Sequence, residues 1–214
     1  MKFFIFIILS LTLNSCALKK IAAPTIVDNR CFKWIANFKN KEFKENMIEC
    51  KSYRNFVGLT PLMMAVLKDN NDIAEYLIGE KVDVNETEKS GYTALNFAAI
   101  RNNARLVQVL RRNGARIEII GDNLSPLMLA VRNASPQLVQ VMQPNPTEVN
   151  LRAEDGWTAI YFAIRREDSE ILKFLLDQGA CVNTVDSYKQ TPLDFAKEVK
   201  WKVGQKLLRR KTAC

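Results

Sequence analysis

An all-α solenoid, built from helix-turn-helix units with short β-hairpin fingers between them, is the fold this sequence predicts. Three observations predict it. Thr60, Thr93, Ser125, Thr158 and Thr191 stand 33, 32, 33 and 33 residues apart, and each opens a similar apolar run. Self-similarity at such a period marks stacked supersecondary units, none of which can bury its apolar face alone. The second observation is chemical. A Thr or Ser hydroxyl accepts a first-turn N–H of a helix, and proline just after it forgoes a donor that would be unpaired anyway. The third is composition: 48% hydrophobic and 25% charged residues in 214 can build a core, which excludes disorder and a polytopic membrane protein.

Taken in order, Met1 and Lys2 precede Phe3 to Leu13, an apolar stretch broken only by Ser10 and Thr12. It is shorter than the roughly 20 residues that span a bilayer. Leu13-Asn14-Ser15-Cys16 follows and resembles a bacterial lipobox, in which the cysteine is lipidated and becomes the first residue. The resemblance implies a lipoprotein signal peptide over 1–15 and lipid on Cys16. Since Ala17 is not aspartate, it further implies an outer-membrane lipoprotein of the bacterial cell envelope facing the periplasm. A secreted chain cut near Ala17 is the alternative. Residues 16–24 then form the lipidated N-terminus and tether. Residues 25–57 carry Trp34, Ile35, Phe38, Phe43, Met47 and Ile48 without the Thr-Pro signature, as expected of a degenerate helical cap.

Repeats follow over 58–90, 91–122, 123–155 and 156–188, with a capping unit over 189–214. In their first helices Leu62, Ala65 and Val66, or Ile160, Ala163 and Ile164, are spaced to share a face. Second helices start near Asp72, Ser135 or Asp168, and Gly114 and Gly179 end them in the left-handed conformation. The runs Gly58-Leu-Thr-Pro-Leu-Met-Met-Ala65 and Gly156-Trp-Thr-Ala-Ile-Tyr-Phe-Ala163, with their three counterparts, resemble the ankyrin repeat, G-x-T-P-L-H-x-A. Val84-Asn85, Val149-Asn150 and Val182-Asn183 match that family's turn. The resemblance covers about residues 58–210. Two departures matter. The consensus histidine is Met63, Asn96, Met128, Tyr161 and Asp194, so its hydrogen bonding must be replaced. The third repeat lacks its finger-to-helix glycine and carries Gln143-Pro-Asn-Pro146 where a helix-ending glycine belongs, which predicts an irregular joint.

The chain holds no histidine, which removes Ser-His-Asp and Cys-His catalysis and every imidazole metal site. Carboxylates such as Asp69, Asp72, Glu75 and Glu80 are scattered, and Glu154-Asp155 and Glu167-Asp168 are adjacent pairs whose side chains need not converge. Met63, Met64 and Met128 read as core filler rather than copper ligands. No enzyme activity, cofactor or metal is expected. Beyond Cys16 there remain Cys31, Cys50, Cys181 and Cys214. Sequence proximity favours Cys31 with Cys50 and Cys181 with Cys214 among three possible pairings, and free buried thiols are the alternative.

A net charge of +8 favours acidic partners, and an envelope address disfavours nucleic acid. After the first helices come Leu67-Lys68, Ile100-Arg101, Arg132-Asn133, Arg165-Arg166 and Glu198-Val199, a basic row on the concave face. Beside it stand the finger residues Leu59, Tyr92, Leu124, Trp157 and Gln190. Lys68, Tyr92, Arg101, Arg132, Trp157, Arg165 and Arg166 are therefore the expected protein-binding residues, arginine with aromatics being the makeup of an interface hot spot. The competing reading is a solvated basic face with Tyr92 and Trp157 packing between fingers. Resemblance to ankyrin arrays implies binding to a protein, here one with an acidic contact surface, by a monomer anchored to the membrane through its lipid. An immunity protein neutralising an antibacterial effector, for instance a lipase, is one concrete form. An envelope scaffold or stress-protection factor for a resident periplasmic protein is the alternative, and an enzyme the furthest one.

Overall fold

The computed structural model describes residues 30–119, 124–133 and 135–210. Cys16 with the lipobox-like run, and Cys214, lie outside them. The N-terminal unit comprises α1 (Arg30–Ala36), α2 (Asn40–Glu45) and α3 (Met47–Cys50). A helical pair was expected; Asn46 divides its second member in two. Its Nδ2 donates to the Glu42 carbonyl at 2.8 Å, a side-chain bond that competes with the helical ladder. Cys50 ends the short α3. It is joined by a disulfide to Cys31, 19 residues earlier, with Cα atoms 5.6 Å apart. Cys181 is disulfide-bonded as well.

Five units follow: α4 (Pro61–Leu67) with α5 (Asn71–Gly79), α6 (Ala94–Ile100) with α7 (Ala104–Arg112), α8 (Pro126–Arg132) with α9 (Pro136–Met142) and the extra turn α10 (Pro146–Val149), α11 (Ala159–Arg165) with α12 (Ser169–Asp177), and α13 (Pro192–Glu198) with α14 (Lys202–Leu208). First helices pack on first helices from α1 through α13, and second on second from α5 through α14. The core lies between the two layers, where Leu77, Leu95, Leu106, Leu127, Leu138, Ile160 and Leu172 are wholly buried, each contributing about 2 kcal/mol of apolar burial.

Four of the corners inside repeats are left-handed residues: Asp69, Asn102, Glu167 and Lys200 have φ of 54°, 56°, 55° and 59°. Asn70, Asn103, Ser135 and Asp168 then cap the second helices. In the first repeat that start precedes the expected Asp72, and Asn70 explains why. Its buried amide caps Ile73 N–H while donating to the Ile35 carbonyl at 3.1 Å and to Asn40 Oδ1 at 2.8 Å, keying the array to its end unit.

The missing histidine is replaced differently in each repeat. Asn96 Oδ1 accepts from the Thr93 N–H at 3.0 Å and from its hydroxyl at 2.8 Å. Asp194 accepts from the Thr191 hydroxyl at 2.6 Å, and Lys197 and Thr191 together hold its carboxyl down at about 2. Met63 offers only sulfur, 3.5 Å from Thr60 N. Tyr161 spans to the next finger, its buried hydroxyl 2.9 Å from the Thr184 carbonyl and 2.8 Å from that of Gln190; burial pushes this phenol up to about 12.

The fingers are tight turns, and no strand forms among the described residues. Successive fingers share too little backbone for a ladder: Lys89 N–H reaches the Val57 carbonyl at 3.1 Å and Ser187 N–H that of Asp155 at 2.9 Å. Side chains close them instead, as where Asp186 accepts from the N–H groups of Tyr188 and Gln190 at 2.9 Å each. Close stacking demands glycine at position 156, where φ is +81° and a Cβ would sit 3.0 Å from Asp186 Cα. The turn asparagines clip one repeat to the next: Asn85 bonds Gly114 and Arg116, and Asn150 bonds Gly179 and Cys181, all at 2.8–3.0 Å.

The irregular joint is present. α9 ends on left-handed Gln143 (φ 45°), and Asn145 and Glu148 cap α10 reciprocally. Arg111 fastens it with two bonds of 2.9 Å to Glu148, one of 2.9 Å to the Met142 carbonyl and one of 2.7 Å to that of Ala115.

Candidate protein-binding face

Each first helix delivers its last residues to the solvent edge just before the left-handed corner, so the basic positions form a series along one side of the stack. Lys68, Arg101, Arg132, Arg165 and Arg166 are all exposed. They are not equivalent in charge. Arg101 donates its Nε to Asp69 of the preceding repeat at 3.1 Å and a second N–H to the same oxygen, and this hydrogen-bonded pairing raises the guanidinium above its ordinary value. Glu75 takes Arg105 in the same way at 2.6 and 3.0 Å, and Glu86 takes Arg54. Arginines of the N-terminal unit and the second repeat therefore tie to carboxylates of the first repeat between them, and the row expected from sequence is interrupted at Arg101.

From the third repeat onward the pattern changes. Arg132, Arg165 and Arg166 have no carboxylate within ion-pair distance among the described residues. With Phe162 they line an open depression of about 440 Å³ between α8 and α11. Arg166 Nη1 donates to the Arg132 carbonyl at 3.0 Å, which fixes one wall. The Arg165 guanidinium lies 5.7 Å from the centroid of the Trp157 ring. That indole packs on Phe195, Phe162 and Tyr161 at 5.1, 5.2 and 5.7 Å and is half-buried. Trp157 thus packs across α11 and α13 and touches Phe162 and Arg165, two of the residues that line the depression. Tyr92 packs against Phe97 at 5.7 Å, away from the arginine group.

Of the residues expected from sequence, the fold gathers Arg132, Trp157, Arg165 and Arg166, and leaves Lys68, Tyr92 and Arg101 apart. Two participants went unread. Phe162 forms the floor, and its position, four past the capping Thr158, is that of Met64, Phe97, Leu129 and Phe195 in their repeats. Asp69 neutralises Arg101; the signal was its place one repeat earlier, which only superposing the repeats reveals. Among the described residues no three His, Cys, Asp or Glu converge on a metal-sized site, and no helix is long and apolar enough to cross a membrane.

Known proteins share this architecture. A chain of the solved complex of a predatory endopeptidase from Bdellovibrio bacteriovorus with an immunity protein superposes with a TM-score of 0.72 at 26% identity, covering 85% of this chain and 97% of that one. The mitochondrial disaggregase of Bos taurus is 32% identical over 141 residues, 64% of this chain and 21% of its own length. Inversin of Homo sapiens is 30% identical over 142 residues, 65% of this chain and 13% of its own. The chain thus spans about a fifth or less of these two curated relatives. The family model for ankyrin repeats, in three copies, matches residues 21–120 and 127–209. With most of its length matched and the helical stack in place, this chain belongs to the ankyrin-repeat family.

Proposed function

We propose that this chain is an immunity protein, which binds an antibacterial hydrolase through the concave face around Arg132, Trp157, Arg165 and Arg166 and blocks it. The observation that carries this is the cationic depression beside a half-buried tryptophan, on the face where the stack leaves first helices and fingers accessible. Guanidiniums without a carboxylate partner among the described residues attract an acidic surface at long range, and aromatic area gives the docked partner its hold. Likeness to a chain from an endopeptidase–immunity complex supports a peptidase as the target over the lipase considered from sequence.

The protein acts as a binder without catalysis of its own, as a monomer, held at the outer membrane by lipid on Cys16 and facing the periplasm. That address rests on the Leu13-to-Cys16 run. Capture of partners from envelope extracts on the immobilised protein, with mass identification, tests the binding; recovery of a hydrolase whose activity falls on addition of the protein is the expected result. Recovery of a resident, non-hydrolytic envelope protein would turn the reading into a scaffold. Labelled palmitate should enter the chain and be lost with Cys16→Ser.

A further inference from the structure

We propose that the depression between α8 and α11 receives a carboxylate side chain, an Asp or Glu on a loop of the partner, gripped by Arg132, Arg165 and Arg166 over the apolar floor of Phe162. This rests on the concave-face reading and supplies its chemistry. The repeat provides an internal control. Arg101 is the eighth residue after Thr93, and the Asp69 that neutralises it is the ninth after Thr60, one repeat earlier. The same counts from Thr158 and Ser125 give Arg166 and Ala134. The arginine is kept and its carboxylate is not. Two more guanidiniums are added where the earlier repeats carry Leu67 and Ile100, since the corresponding residues are Arg132 and Arg165.

Three cations around one depression repel each other, and an anion among them relieves that repulsion. A carboxylate fits best because each guanidinium offers parallel N–H donors at its spacing. Phe162, only 7% exposed, excludes water from below and so strengthens the bonds made above it. The neighbouring Trp157 edge gives contact area that a polypeptide loop covers and a free anion does not. The missing cis carboxylate is thereby supplied in trans.

The test uses isotope-labelled full-length protein in detergent and follows its arginine Nε–H resonances. The probe is the capped peptide Gly-Asp-Glu-Gly, compared with its Gly-Asn-Gln-Gly counterpart and with inorganic phosphate. Saturable shifts at Arg132, Arg165 and Arg166 with the acidic peptide only, and none at Arg101 or Arg105, are expected. Ala134→Asp gives the third repeat's sequence the carboxylate that Asp69 gives the first and should weaken the peptide about fivefold, the reach of one exposed ion pair; Ala134→Asn should not. Equal shifts at Arg101, indifference to Ala134→Asp, or binding of phosphate but not peptide would each overturn the proposal. A captured partner that is lost with Arg132→Glu plus Arg165→Glu yet retained by Ala134→Asp would leave the concave-face reading standing and remove the carboxylate site.

Discussion

Arg101 and Arg166 occupy the same place in their repeats and meet opposite fates. In the N-terminal unit and the second repeat, Arg54, Arg101 and Arg105 are held by Glu86, Asp69 and Glu75 of the first repeat. In the third and fourth repeats, Arg132, Arg165 and Arg166 stand around Phe162 without a carboxylate partner among the described residues. The repeat decides where a charge is displayed; the residue one repeat earlier decides whether it is tied down. A basic row read from spacing alone therefore overstates the binding face, because stacking neutralises part of it.

That contrast can be broken most forcefully at Arg111, the most enclosed of the tied arginines, its side chain 20% exposed against 14% for Glu148. Arg111→Ala should lower stability by about 2–3 kcal/mol in urea unfolding, because it strands Glu148 and frees two carbonyls, and it should leave partner affinity intact. A loss of affinity instead would make the joint part of the interface. Trp157→Ala is expected to cost about 2 kcal/mol in affinity, chiefly through faster release, as an aromatic anchor does. Unchanged dissociation in surface-binding kinetics would assign the ring to finger packing alone.

Reversing Arg132 and Arg165 to Glu should slow capture about tenfold at low salt and abolish its decline with added salt. Arg101→Glu should leave capture nearly unchanged and instead lower stability only slightly, as loss of an exposed pair does. If both variants slow capture equally, the two halves are not different. The smallest effect lies at Asp194. Its carboxyl is depressed to about 2 by Lys197 and Thr191, so its stabilisation is full above the ordinary carboxylate range of about 4 and is lost as pH falls through about 2. Since the group is exposed, urea midpoints at the two ends of that window should differ through it by only a few tenths of a kcal/mol, and Asp194→Asn should erase that share.

Much of this was legible in the sequence, and the physical reason is local. Caps, proline starts and apolar spacing act within one turn of helix, so Thr60, Thr93 and Ser135 marked helix starts correctly. The joint was foreseen from Gln143-Pro-Asn-Pro146, although its resolution into a capped extra turn was not. What escaped depends on contacts a whole repeat apart. Asp69 and Glu75, read as scattered surface acids, prove to be ties, and Asn70 displaced Asp72 as a cap because it also grips Ile35 and Asn40. The same distance hid the depression, since no single repeat contains both of its walls.

A stack whose contacts run only between neighbours comes apart from its ends, where one face of the last unit has nothing beyond it. Chain that frays there is extended, and extended chain is what a peptidase cuts. The Cys31–Cys50 bond closes the first unit into a ring, so its helices cannot peel away singly and must open together or not at all. For the peptidase inhibitor proposed above, that closure would mean resistance to digestion by the enzyme it binds.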